Sequence, residues 1–494
     1  MFRTISALTP PDPDYPERTY RLDMLRRVLD GELYDVLPYP FSEERNRAGE
    51  YIPLRQRRPS ARYNLCRLVV EDSVGLLFGE GRFPALQSED EATRQALAAL
   101  MKEGAWNAQL ADAAIRGSIG SVAVVMRILR GRVFLDVIDS PFLTPTFDAE
   151  APDTLVKLTE ARKVKGRDLE EAGYTVPREQ REAIFWYRRE WGVDAETWYV
   201  PQPLAEAQEG KPPVVDEART VRHPLGFVPA LWLTNLPGGK APDGECTFKA
   251  AIDTQIELEY LLSQGGRGLK YASDPLLMIR EPAAADEKDI VRSAGNALIV
   301  SEKGDAKLLE IGGTATEAVL EHVRALRELA LESLHGNRSN ADKISAAQSG
   351  RAMELMNAPL ISLADRLRVS YGEGGLLRLA QMVARASRAV PLSIGGRQVR
   401  DLDPEGISLR WNGWFSPTEG DKLQQAQGLQ TLTGAGLLSR ETAVASVAGT
   451  FDIEDTAAEL VRLDKERAMA PPGPARAFAR RAPPLDPAKG REAL

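Results

Sequence analysis

The chain has 494 residues, long for one core, so roughly two to four substructures are expected. It is 43% hydrophobic and 27% charged with a formal charge of −8, the balance of a soluble folded protein and not of a basic nucleic-acid coat. Cys66 and Cys246 are too few for a disulfide framework, which points to a reducing compartment and to two buried small hydrophobes.

No signal-peptide core opens the chain. No stretch approaches the roughly 20 apolar residues that span a bilayer, so a soluble protein made in the cytoplasm is expected. Residues 1–58, rich in Pro, Tyr and charge, read as an irregular arm with a short helix near Tyr20–Leu29. Ser60 is the expected cap of a helix carrying Leu65, Leu68, Val69 and Leu76 on one face and ending at Gly75–Gly79. Amphipathic spacing predicts helices over Glu91–Lys102 and Trp106–Gly117. The period then switches. Val122–Leu129, the turn Arg130-Gly131 and Val133–Ile138 predict a β-hairpin. Strands are expected at Leu155–Lys163, Ile184–Tyr187 and Thr197–Val200, then a polar loop over Gln202–Asp216. His223–Pro229 is a turn entering the apolar run Ala230–Leu233. Residues 59–246 therefore read as an α+β domain.

A helix begins near Phe248 and carries Ile252, Ile256, Leu258, Leu261, Leu262 and Leu269. Gly265, Gly266 and Gly268 each cost about 1 kcal/mol against Ala in a helix interior, so a kink or a tight helix–helix approach is expected there. Asp274-Pro275 stops it. Short strands are predicted at Leu276–Ile279, Ala297–Val300 and Leu308–Ile311, interrupted by a polar helical turn near Ala283–Val291. Thr314-Ala-Thr-Glu317 is a capping box that starts a helix running to His335, with Gly336 as its C′ residue. Val319, Val323, Leu326 and Ala330 form its apolar face. The first of these helices has Ile252 and Ile256 on one side and Leu258, Leu261 and Leu262 on others. That excess predicts burial against neighbouring subunits.

A polar segment, Gly336–Ser349, precedes a longer helix with Met356, Leu360, Leu363 and Leu367 in helical spacing. Pro359 should bend it, and Gly372, Gly374 and Gly375 should interrupt it before Leu376–Ala386. Ile407–Trp411 is a strand, Ser416-Pro-Thr-Glu419 a second capping box, and two or three short helices run to about Arg467. The Pro/Ala/Arg-rich end, 468–494, is expected to be disordered.

Chemistry-bearing motifs are scarce. No Gly-x-x-x-x-Gly-Lys-Ser/Thr loop occurs, and Gly75–Gly81 lacks the spacing of a dinucleotide fingerprint. Three histidines, His223, His322 and His335, are weak material for a metal site. Asp136 with Asp139, and Glu71 with Asp72, are candidate metal pairs, but acidic pairs ordinarily decorate exposed faces. No cofactor, no metal and no catalytic residue is expected.

Several segments carry a family resemblance by their order and spacing. They are Asn64–Asp72 followed by Leu76–Gly79, Arg116-Gly-Ser-Ile-Gly120, Asp139–Pro145, His223–Pro229 with Asn235, and Asp274-Pro275. The strongest is Ser349-Gly-Arg-Ala-Met-Glu-Leu-Met-Asn-Ala-Pro-Leu360. Trp411 with Ser416–Asp421, and Gly436–Ala443, complete the series. Together, over roughly residues 60–467, the chain resembles the portal proteins of tailed bacteriophages, which form the head-to-tail connector ring.

The resemblance implies an α+β, portal-like fold. Its wing would comprise residues 59–246 and a kinked helix in 350–415. Two long stem helices, 247–273 and 314–335, would bracket a small β clip at 274–313. A tunnel loop at 336–349, crown-like helices at 416–467 and a tail at 468–494 complete it. It implies a homo-oligomeric ring, a dodecamer, at one capsid vertex of the virion, assembled in the host bacterial cytoplasm without a membrane. That ring would conduct double-stranded DNA non-specifically during packaging and ejection. Its partners would be the terminase large subunit, head–tail connector and adaptor proteins, and the major capsid and scaffolding proteins. Arg338, Ser339, Asn340, Lys343, Ser345, Ala346 and Arg351 would face DNA in the channel. Arg280, Glu281, Asp286, Lys288 and Arg292 would dock the motor and connectors on the clip. The competing readings are another structural virion protein, of head-completion or minor-capsid type, and a metal-dependent nuclease using Asp136 and Asp139.

Overall fold

The computed structural model describes residues 12–36, 45–53, 56–79, 81–272, 276–282, 300–309, 314–335, 354–355, 357–414, 419–448, 451, 453 and 456–469. The chain divides into two compact units, Met1–Ala346 with Glu354–Trp414, and Ala347–Met353 with Phe415–Leu494.

The first unit opens with helices α1 (Glu17–Asp30), α2 (Leu65–Phe78), strand β1 (Ala85–Gln87), and helices α3 (Glu91–Glu103) and α4 (Trp106–Gly117). In α1, Leu22, Leu25, Val28 and Leu29 recur at three- and four-residue spacing, and all are buried in the main core. The helix expected near Tyr20–Leu29 is therefore present, and it is core structure and not part of an irregular arm. The cap of α2 is Asn64, whose Oδ1 accepts from the Arg67 N–H at 3.1 Å. Ser60 does not cap it; its N–H is bonded to Ser263 Oγ.

Strands β2 (Ser121–Leu129) and β3 (Arg132–Asp139) form the predicted hairpin. Its two turn residues, Arg130 and Gly131, have φ of 52° and 80°, a turn whose twist matches the flanking strands. Then come β4 (Leu143–Phe147), β5 (Leu155–Lys165), short helix α5 (Gly166–Glu171), β6 (Ile184–Trp191) and β7 (Ala195–Trp198). Next are β8 (Gln202–Pro203), short helix α6 (Leu204–Gln208), β9 (Val221–Arg222) and β10 (Ala230–Thr234). All pair antiparallel, in the orders β10-β2-β3 and β4-β5-β6-β7-β9, with β8 against β6. The expected loop at 202–216 thus contains β8 and α6, and the strand expected from Thr197 begins at Ala195. Cross-strand pairing with β6 extends these segments beyond what local alternation shows.

Helix α7 (Ile252–Ala272), strands β11 (Leu276–Pro282) and β12 (Val300–Leu309), and helix α8 (Thr314–Ser333) follow. β11 and β12 form one antiparallel pair, from Leu276↔Leu309 to Pro282↔Val300. Three short strands were expected here. The strand β12 runs on through the turn-like Lys303-Gly304-Asp305, but the ladder shifts register there: Arg280 pairs with Asp305 and Pro282 with Val300, so the intervening residues of β12 bulge out of it. The expected helical turn at 283–291 lies outside the described residues. His335, just past α8, is left-handed at φ 54°, and the expected C′ residue Gly336 lies outside the described residues.

Helix α9 (Ala358–Leu367), a π-helix (Arg368–Leu377) and α10 (Arg378–Ala389) run on without a break. Two expectations are corrected. Pro359 sits in the first turn of α9 behind the N-cap Asn357, where a missing N–H costs nothing; residues 354–355 before that cap are also helical, so the expected longer helix is interrupted just ahead of Pro359 and a new one starts there. Gly372, Gly374 and Gly375 do not interrupt it, because the segment widens into π geometry. Gly372 gives room to Trp411: a Cβ there would lie 2.4 Å from the indole ring. Strands β13 (Leu392–Ile394) and β14 (Arg397–Val399) form a hairpin, and β15 (Ser408–Arg410) pairs with β1.

The second unit contains α11 (Glu419–Gly434), α12 (Arg440–Val447) and α13 (Thr456–Met469). Ser439 caps α12, accepting from the Thr442 N–H at 3.1 Å. None of its described side chains is fully buried. The Ser416–Glu419 box lies outside the described residues apart from Glu419. No described helix is long and apolar enough to cross a membrane.

Candidate functional site

The candidate site is the helical hairpin of α7 and α8 with the β11–β12 pair between them. Burial runs along it as a gradient. At its base Ile252, Ile256, Leu258 and Tyr260 of α7 are buried, as are Ala330 and Leu331 of α8 and Leu334 just past its end. Away from the base Leu269 and Leu320 are exposed, and at the base Leu329 faces outward beside the buried Ala330. From Gln255 to Ala272 the helix advances about 25 Å, so the strand pair is held well away from the core. The two helices touch closely at Gly265, where a Cβ would lie 3.4 Å from Val319 Cγ1. Gly265 therefore provides a close approach, and α7 is continuous through the glycine run to Ala272.

These burials correct one expectation. Ile252, Ile256 and Leu258 are covered within a single chain, by the main core. Leu261 and Leu262 are half-buried. Among the described side chains of the two helices, the large exposed apolar ones are Leu269, Leu320 and Leu329.

A polar stripe roots α7. Gln255, Glu259 and Ser263 stand four residues apart, hence on one helix face, and all are buried. They satisfy the backbone leading into α2. Gln255 Oε1 accepts from the Cys66 N–H at 2.9 Å, filling one of the vacancies at a helix start. Glu259 Oε1 accepts from the Tyr63 N–H at 3.1 Å, and its Oε2 accepts from the Tyr34 hydroxyl. Ser263 Oγ accepts from the N–H groups of Ser60 and Ala61, each at 3.0 Å. Tyr63 also reaches the second helix, its hydroxyl accepting from Arg327 Nε at 2.9 Å. Sequence reading missed this stripe. Its signal was present as three hydrogen-bonding residues at a four-residue interval on an apolar helix.

Burial pushes the Glu259 carboxyl above its ordinary 4.5, against the lowering effect of its hydrogen bonds. Between the unfolded and folded values the folded state holds a proton that the unfolded state lacks. Its contribution is therefore complete below about pH 4.5 and is lost as pH rises through the folded value. Glu259→Gln should flatten the decline in thermal midpoint above that pH. Parallel melting curves for both proteins across the series would contradict this assignment.

The sequence-predicted site residues fall unevenly. Arg338, Ser339, Asn340, Lys343, Ser345, Ala346 and Arg351 lie outside the described residues, as do Asp286, Lys288 and Arg292. Arg280 and Glu281 lie on β11, with Arg280 in register with Asp305 of β12. The structure does not bring the candidate metal pairs to a common site. Asp136 is paired with Arg127 at 2.6 Å, Asp139 faces Arg116 at 3.7 Å, and Glu71 is bonded to Arg67 at 2.6 Å. No cluster of three metal-binding side chains occurs among the described residues. Cys66 and Cys246 are buried and unbridged, and burial pushes the Cys246 thiol up to about 12, which keeps it an unreactive hydrophobe. His322 and His335 are exposed, and half-buried His223 is held below its ordinary value by desolvation.

No family model and no curated protein matches the chain. Among solved structures it is similar to a chain in the neck of a native gene transfer agent particle computed with C12 symmetry. The identity there is 13%, with 90% of this chain and 97% of that one covered, at a TM-score of 0.38. It is also similar to a chain in the virion of a native gene transfer agent particle, at 13% identity, covering 78% of this chain and 88% of that one, with a TM-score of 0.35. Both superpositions are too poor to carry an argument about this chain.

Proposed function

We propose that this chain is a structural virion protein, and specifically one subunit of a phage portal ring. The observation that carries the proposal is the helical hairpin rooted in the core at one end and holding a two-stranded tip at the other. Repeated around an axis, such hairpins line a tube, and Leu269, Leu320 and Leu329 are the apolar residues that a lateral neighbour would cover. In this reading 247–273 and 314–335 are the stem, 274–313 the clip and 336–349 the tunnel loop. The ring conducts double-stranded DNA and docks the terminase motor and connector proteins on its clip. The chain has no catalytic role.

Negative-stain microscopy of the purified full chain tests the proposal. Rings with a central hole are expected. A monomer that persists at the highest attainable concentration overturns it.

A further inference from the structure

The run from Gly374 to Arg400 contains five arginines, no lysine and no Asp or Glu, in a chain of net charge −8. Folding places it beside two more arginines. The β2–β3 turn lies on β13: the Ser393 N–H donates to Gly131 O at 2.8 Å, and a Cβ on Gly131 would meet Pro391 O at 3.2 Å. Arg130 and Arg132 of that turn thus join Arg385 and Arg388 of α10 and Arg397 and Arg400 of the β13–β14 hairpin. All six are exposed. Among the described residues none of them forms an ion pair, although the chain pairs most of its other arginines in this unit. Nearby carboxylates are engaged elsewhere: Glu103 accepts from the Gly395 N–H at 2.8 Å, Asp136 holds Arg127, and Asp153, which shares a cavity lining with Arg385, lies 3.9 Å from Arg378. The nearest acidic neighbour in sequence, Asp401, makes no pair with them.

Arg130 has a further distinction. It occupies a left-handed position, φ 52°, that Asn, Asp or Gly would fill with less strain. Local structure therefore does not explain its presence. Unpaired arginines on one surface repel one another, and an anionic partner would relieve that repulsion. A protein partner would be expected to meet an apolar core within the patch, with charge at the rim. Leu129 and Phe134 are exposed beside Arg130 and Arg132, but the charges outnumber them and are drawn from three separate segments, and guanidinium forks suit phosphate oxygens.

We propose that this surface binds the phosphate backbone of duplex DNA without reading sequence. A single chain carries it, so it does not depend on ring assembly or on the channel.

The test uses full-length protein and a short mixed-sequence DNA duplex, titrated by fluorescence anisotropy over a salt series. Arg385→Glu/Arg388→Glu/Arg400→Glu should weaken binding by at least about tenfold and reduce the log–log salt slope by about three. A control with equal charge change, Arg47→Glu/Arg178→Glu/Arg410→Glu, should lose much less. Glutamine at the same three patch positions should weaken binding in the same direction, and it carries the test if the glutamate variant does not fold. The proposal is overturned by wild-type protein that fails to bind DNA, or by equal losses in patch and control variants. It is equally overturned if the patch variants keep their DNA affinity but lose binding to polyglutamate or lose self-association. Either outcome would make this an acidic-protein or subunit contact.

Discussion

Asp243→Ala should lower the stability of the first unit by about 3–5 kcal/mol, the range for leaving buried cations without their partner. The Asp243 side chain is 1% exposed. Arg18 grips it with two nitrogens, Nε to Oδ2 at 2.9 Å and Nη2 to Oδ1 at 2.7 Å. Arg21 adds a bond at 3.0 Å, and the Ser121 hydroxyl donates at 2.7 Å. Arg18 also donates to Leu143 O at 2.7 Å, so one carboxylate ties α1 to the start of β2 and to β4. Removing it strands the Arg18 charge, which is largely buried. The Arg21 contribution is discounted, since that side chain is more than a third exposed and water screens it. Asp243→Asn keeps the shape and should lose less. Urea denaturation followed by tryptophan fluorescence measures both, and a loss under about 1 kcal/mol for the alanine variant would show that the network is dispensable.

Tyr371→Ala should cost a similar amount, about 3–5 kcal/mol, through the cavity it leaves in the main core. Tyr371 is fully buried in the π-helix, and its hydroxyl donates to Asn235 Oδ1 at 3.1 Å. Asn235 in turn donates from Nδ2 to Glu245 O at 2.7 Å and to Thr247 Oγ1 at 2.8 Å, and its carbonyl accepts from the Ser370 hydroxyl. The π geometry sets residues 370 and 371 against this hub. Gly117 leaves space for the phenol: a Cβ there would lie 2.2 Å from the Tyr371 hydroxyl oxygen. Tyr371→Phe isolates the hydrogen bond and should cost about 1 kcal/mol. If phenylalanine were as damaging as alanine, the hub and not the packing would be the source of the stability.

How far these features were legible follows from where their causes lie. Helices α3 and α4 and the β2–β3 hairpin have bounds close to those read from the sequence, because period and turn chemistry act over a few residues. The stem-like pair α7 and α8 was legible for the same reason. Pro359 and the glycines near 372 misled, since a proline means one thing inside a helix and another in its first turn. Glycine cost is also a local quantity that a tight fit to Trp411 overrides. Asn235 was noted only as the end of a turn. The four partners of its side chain come from segments as distant as Ser118 and Tyr371.

By itself, then, the sequence determined an α+β chain with few reactive groups and two long helices around a strand segment, since patterning of neighbours suffices for each. Only the tertiary structure decided that the early helix α1 belongs to the core, that Gln255, Glu259 and Ser263 root the hairpin, and that six arginines share one surface. Those outcomes depend on which distant segments meet. Burial and electrostatic compensation are properties of that meeting, and no window of neighbouring residues contains them.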